Sequence, residues 1–128
     1  MSIAFDELAY ICLYCADLDA SLHFYRDVLG LRIERHDPAF CQFALGATKL
    51  GLEPGGWRKP GQKGWNENPV LLQFRARSLE HLEAMNRHLE AQGVTLLARS
   101  VAASYGVITN FLDPDGNTLE VLFQPQSQ

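Results

Sequence analysis

Positive charge is in short supply: eleven lysines and arginines stand against fifteen aspartates and glutamates, a formal net charge of -4. A chain of that balance has no general attraction for nucleic acid or for an anionic membrane surface. No apolar run is long enough to span a bilayer, and the N-terminus lacks the basic-then-apolar layout of a secretory signal. Neither nucleic acid nor membrane is expected as a partner, and the cytoplasm is the expected location. Cysteine is sparse as well. Three residues, an odd number without framework spacing, argue against a disulfide scaffold and suit a reducing compartment. Cys12 and Cys15 do form a C-x-x-C, but they fall in a tyrosine-rich apolar run that reads as a strand. Three-residue spacing on a strand sends two side chains to opposite faces, so they read as separate small hydrophobes.

What remains is an ordinary globular composition, 47% hydrophobic and 20% charged over 128 residues, enough to bury one core. Residues 8–15 read as a strand. Asp17 then caps a helix whose Leu18, Leu22, Tyr25, Val28 and Leu29 recur at helical spacing until Gly30. Strands follow at 31–36, 40–45 and 49–53. After an interruption at 54–69 the order returns: a strand at 70–75, a helix capped by Ser78 with Leu79, Leu82, Met85 and Leu89 on one face, Gly93 at its end, and strands at 94–99, 105–112 and 118–123. The helix-ending glycines recur about 63 residues apart, so the chain is a tandem of two βαβββ modules of about fifty residues. The expected fold is α+β, one domain over 1–128, with module one at 8–53 and module two at 70–123. The modules together would form a cupped, mostly antiparallel sheet with helices on the outside.

The most informative stretch is Phe111 to Phe123. Asp113-Pro114-Asp115-Gly116 is strong turn chemistry, because Pro114 presets φ, Asp113 can bond forward to the backbone and Gly116 accepts positive φ. In the strand that follows, Leu119, Val121 and Phe123 alternate with Thr118, Glu120 and Leu122. A carboxylate at mid-strand is unfavourable unless its face meets water, a ligand or a metal. Glu120 is therefore the first candidate for function.

Asp17-Leu18-Asp19-Ala20-Ser21 with Phe24-Tyr25 and Leu29-Gly30-Leu31, and later Asp113-Pro114-Asp115-Gly116-Asn117 with Leu119-Glu120, resemble the vicinal oxygen chelate superfamily of glyoxalases, bleomycin-resistance proteins and extradiol dioxygenases. The resemblance covers nearly the whole chain. It implies a shared fold that hosts metal-dependent isomerases, epimerases, dioxygenases and thiol transferases, and also proteins that only bind a drug. It also implies four metal-ligand positions, one on the first and one on the last strand of each module, which match Tyr10, Gly51, Leu71 and Glu120. Only Glu120 is a good ligand, although a two-residue shift would bring in Glu53. His23, His81 and His88 belong to helices and His36 to a strand end, so none completes a site. No metal or other cofactor is expected, the alternative being a divalent ion.

Strand parity then defines the lining: Tyr10, Cys12 and Tyr14; Lys49, Gly51 and Glu53; Leu71, Gln73 and Arg75; Thr118, Glu120 and Leu122. The interruption at 54–69 adds Trp57 and Trp65 as stacking surfaces, with Arg58, Lys59 and Lys63 around them. Tyr10, Tyr14, Glu53, Trp57, Gln73, Arg75 and Glu120 are the expected contacts for a small organic ligand, partly aromatic and partly polar. The expected function is metal-independent binding or sequestration of the bleomycin-resistance type, in a homodimer that covers open sheet edges. The alternative is a glyoxalase- or dioxygenase-type enzyme, a lyase, isomerase or oxygenase, with Glu120 as metal ligand or general base.

Overall fold

The computed structural model describes residues 8–55 and 70–125. The chain divides into two compact units, Met1–Lys59 and Pro60–Gln128. Each carries the strand, helix and three strands read from the sequence.

In the first unit β1 (Tyr10–Cys15) leads into α1 (Leu18–Leu22), then β2 (Arg32–Asp37), β3 (Phe40–Leu45) and β4 (Thr48–Pro54). The sheet order is β1-β4-β3-β2. The crossover through the helix makes the β1–β4 pair parallel, and the two hairpins make the other pairs antiparallel. Asp17 caps α1 as expected, its Oδ1 accepting from the Ala20 amide at 3.2 Å. The helix is not uniform, however: from His23 to Val28 it widens into a π-helical turn, closed by Leu29 N donating to Phe24 O at 2.9 Å. Ser21, Leu22, Phe24, Tyr25 and Val28 are all buried, and the adjacent aromatics pack edge-on with ring centroids 5.4 Å apart. The sequence pattern gave regular helical spacing and did not reveal this widening. Against the sheet, Tyr25 meets Phe43 at 6.2 Å, with Cys41, Leu50 and Leu52 buried around them.

The second unit repeats the topology with β5 (Leu71–Arg75), α2 (Leu79–Ala91), β6 (Leu96–Ala103), β7 (Gly106–Leu112) and β8 (Thr118–Phe123), in the order β5-β8-β7-β6. Ser78 caps α2, accepting from the His81 amide at 3.0 Å. The turn before β8 is built as its residues suggest: Asp113 Oδ1 accepts from the Asp115 and Asn117 amides at 2.9 and 2.8 Å, and Gly116 takes φ +85°. Two departures stand out. β6 runs to Ala103 instead of stopping at Arg99, passing through a bulge at which Ser100 adopts φ +50°. Under that bulge lies a polar network. Asn86, fully buried on α2, donates to Ser100 Oγ at 2.8 Å and accepts from Thr109 at 2.6 Å, while Ser100 N donates to Thr109 Oγ1 at 3.1 Å. These bonds hold a serine in a conformation that L-residues disfavour. Among the described residues, no helix is long and apolar enough to cross a membrane.

Candidate functional site

Register places the parity rows where alternation puts them. In the first unit Tyr10, Cys12 and Tyr14 lie across from Lys49, Gly51 and Glu53; in the second Leu71, Gln73 and Arg75 lie across from Thr118, Glu120 and Leu122. Directly paired residues share a sheet face. Of the four matched positions, Gly51 and Glu120 have direct partners one same-face step beyond Tyr10 and Leu71. Cys12, two residues on from Tyr10, is the partner of Gly51, and Gln73, two on from Leu71, is the partner of Glu120.

Glu120, on β8, is 1% exposed. Gln73 Nε2 donates to Oε1 at 2.8 Å, the Tyr105 hydroxyl donates to the same oxygen at 3.3 Å, and Asn110 Nδ2 donates to Oε2 at 2.7 Å. All three donors are neutral. Desolvation, with the Glu120 charge and hydrogen bond behind it, pushes the Tyr105 phenol above its ordinary range. Arg75 lies farther along β5 and bonds Gln124 Oε1 at 2.8 Å. Asn110 and Tyr105 were not among the expected site residues. Asn110 was within reach of the sequence: with Leu112 and Thr118 flanking the turn, counting two residues outward on each strand pairs Asn110 with Glu120. Nothing in the pattern marks Tyr105.

The first unit uses the equivalent position differently. Gly51 is buried, and a Cβ added there would stand 2.8 Å from the Phe40 ring and 3.1 Å from Cys12 Sγ. Tyr10 meets Phe40 edge-on at 6.2 Å, and the Arg35 guanidinium sits 5.1 Å from its centroid. The Tyr10 hydroxyl donates to Gln42 Oε1 at 2.9 Å, and Gln42 and Lys49 both donate to Glu34, at 3.1 and 3.0 Å. Those two bonds hold the Glu34 carboxyl below its usual range, the lysine's first. Tyr14 is 52% exposed beside a half-buried Glu53. Trp57 and Trp65 lie outside the described residues.

The fit to a divalent ion is poor in each unit. Among the described residues no three His, Cys, Asp or Glu side chains converge. Partial burial and the Glu53 charge push the Cys12 thiol up, away from the thiolate a metal needs. Both oxygens of Glu120 already accept N–H or O–H donors. His81, on α2, accepts from the Arg77 amide, and His23 pairs with Asp27. His36 and Asp37 line an open cleft of about 700 Å³ with Asp17 and Asp19 in the first unit. Asp17 and Asp37 there already accept backbone amides.

The family model described as Glyoxalase/Bleomycin resistance protein/Dioxygenase superfamily matches residues 7–121. The chain belongs to this superfamily. Among solved structures, a glyoxalase/bleomycin resistance protein/dioxygenase from Nocardioides is similar with TM-score 0.78 at 18% identity, covering 99% of this chain and 89% of that one. A lactoylglutathione lyase from Agrobacterium tumefaciens aligns with TM-score 0.74 at 22% identity, over 94% and 95% of the two chains. An integron cassette protein from the mobile metagenome of V. cholerae aligns with TM-score 0.69 at 27% identity, over 96% and 98%. No curated protein matches. At the identities of the first two, the superfamily likeness speaks for fold and not for reaction.

Proposed function

We propose that this superfamily member binds or sequesters a small organic molecule without a divalent metal, through the face of module two that carries Glu120. The observation that carries the reading is the set of three neutral donors around a buried carboxylate. A carboxylate offers about four acceptor positions, and three are used by described residues. None of the three carries a charge, so the carboxylate suits an N–H or O–H donor of a ligand in exchange for one of them. A metal at Glu120 would have to find further ligands, and among the described residues no three His, Cys, Asp or Glu side chains converge. A lyase or oxygenase reading therefore has less support than binding of the bleomycin-resistance type. A cytoplasmic homodimer completes the reading, since edge strands β1, β2, β5 and β6 are best covered by a second copy; light scattering that shows a monomer at millimolar concentration would remove that part alone.

The experiment is a binding series with bleomycin and a panel of aromatic amines, using the parent and Glu120→Gln, with metal analysis of the dialysed protein. Loss of the charge-assisted bond should weaken binding about ten- to hundredfold. Near-equimolar metal bound to Glu120 after dialysis would move the protein to the enzyme class. Equal affinity in the Gln variant would remove Glu120 from the site.

A further inference from the structure

Resting on that reading, the geometry points to Tyr105 as the residue that selects what binds: its phenol holds an acceptor position of Glu120 that a ligand's own donor takes over, so the site takes organic amines in preference to organic carboxylates.

Tyr105 stands next to Gly106 at the tip of the β6–β7 hairpin, where Ala103 pairs with Gly106. It precedes Asn110, the cross-strand partner of Glu120, by five residues. Fully extended, that stretch covers about 16 Å, more than a tyrosine and a glutamate side chain can bridge. The hydroxyl nevertheless lies 3.3 Å from Oε1. The hairpin tip therefore curls back toward the face that carries the carboxylate. Gly106 lets the tip lie tight against β8: its φ is +156°, and a Cβ there would stand 2.2 Å from the Phe123 carbonyl oxygen. Only glycine fits that approach.

The tip ends in a replaceable bond. Two of the three donors to Glu120 are short, at 2.8 and 2.7 Å, and come from strands β5 and β7. The Tyr105 bond, at 3.3 Å, is long for an O–H donor and is the weakest of the three. Tyr105 is 44% exposed and Glu120 is 1% exposed, so the phenol stands at the solvent boundary and the carboxylate behind it. A ligand ammonium that takes its place exchanges a weak neutral donor for a charged one, while Gln73 and Asn110 keep the carboxylate in position. A ligand carboxylate offers no donor and meets a negative charge. Arg75 is the nearby cation of the same face, placed opposite Leu122 and bonded to Gln124, one step outward from the Gln73–Glu120 pair.

The test compares 1-naphthylmethylamine with 1-naphthylacetate, two probes of one skeleton and opposite charge, by fluorescence anisotropy on the parent, Tyr105→Phe and Glu120→Gln. The phenylalanine keeps the ring and removes the competing hydroxyl. The expected result is amine binding that is three- to tenfold tighter in Tyr105→Phe and at least tenfold weaker in Glu120→Gln, with the carboxylate weaker than the amine on the parent and unaffected by Tyr105→Phe. Amine binding that depends on Glu120 but is unchanged or weaker in Tyr105→Phe overturns the role of Tyr105 and leaves the site standing. Amine binding that does not depend on Glu120, or none at all, overturns the site and this role together. The carboxylate binding the parent as tightly as the amine overturns the selectivity.

Discussion

The two modules share a topology and differ at its most telling position. The last strand of module one carries Gly51 across from Cys12; the last strand of module two carries Glu120 across from Gln73. In module one the space beyond the glycine is filled by the Phe40 ring, itself flanked by Tyr10 and Arg35. In module two the same place on the sheet holds a charge that three donors stabilise. A duplicated backbone thus preserves register while leaving each half free to spend the position on packing or on chemistry. Glycine in mid-strand weakens a sheet unless something approaches it closely, and here the ring does.

The sharpest way to break the contrast is to give module one the carboxylate of module two. Gly51→Glu places a Cβ 2.8 Å from Phe40 and a charge where Cys12 replaces the Gln73 of module two and where Gln42, the equivalent of Asn110, already donates to Glu34. Overpacking and an uncompensated buried charge together should cost at least about 3 kcal/mol in urea unfolding. Gly51→Glu with Phe40→Ala should recover part of that loss, because only the steric component is relieved. A single variant as stable as the parent would mean that Phe40 does not close the space.

The converse change, Glu120→Ala, should cost about 2 to 3 kcal/mol, since buried Asn110 loses its acceptor and Gln73 and Tyr105 lose theirs. Asn110→Ala in the same background should then cost less than it does alone. Strict additivity in this double-mutant cycle would show that the two side chains do not act on one another.

Much of this is legible in the sequence. Capping residues, the two helix-ending glycines and the Asp113–Gly116 turn are local chemistry, and the helix caps and turn formed as read. Alternation put Glu120, Gln73 and Arg75 on one face because side-chain period on a strand is a local property. What escaped is what depends on long-range packing. Phe40 over Gly51, Asn86 under the Ser100 bulge and the reach of Tyr105 to Glu120 join residues distant in sequence, and no periodicity encodes them. The helical spacing is likewise silent on the π-helical turn at His23–Val28, in which adjacent Phe24 and Tyr25 are both buried.

The helix-facing sides of the sheets differ as well. Module one seals its helix with Tyr25 against Phe43, module two with the Asn86, Thr109 and Ser100 hydrogen bonds. Asn86→Ala should cost about 1 to 2 kcal/mol, because buried Thr109 and the strained Ser100 lose a partner. Rescue by Ser100→Gly, which relieves the positive φ, would show that the network exists to hold the bulge. If Asn86→Ala is silent, the polar seam contributes nothing that water cannot replace.

The smallest expected effect separates the modules by acid titration. On module one, Asp27 accepts from Arg26 at 2.8 and 2.9 Å and pairs with His23 at 2.9 Å, and the arginine bonds, more than the histidine, hold its carboxyl down to about 2 from 3.8. On module two, Glu83 is held below its usual range first by its bond to Ser100 and then by Arg99. A carboxyl whose folded pKa is depressed contributes stability that is full above its unfolded value and is lost as pH falls through the folded one. For Asp27 that window runs from about 3.8 down to about 2. Asp27→Asn should therefore be slightly less stable than the parent at pH 7, and the gap should close as pH falls across that window. Asp27 is solvent-exposed, so added salt should shrink the gap at neutral pH. Glu83→Gln differs in the partner it loses, a hydroxyl at a strained bulge, and its deficit should resist salt better. Thermal melts of both variants from pH 2 to 7, at low and high salt, read the difference directly; a salt-insensitive gap for Asp27→Asn would mean that its arginine contact is structural and not electrostatic.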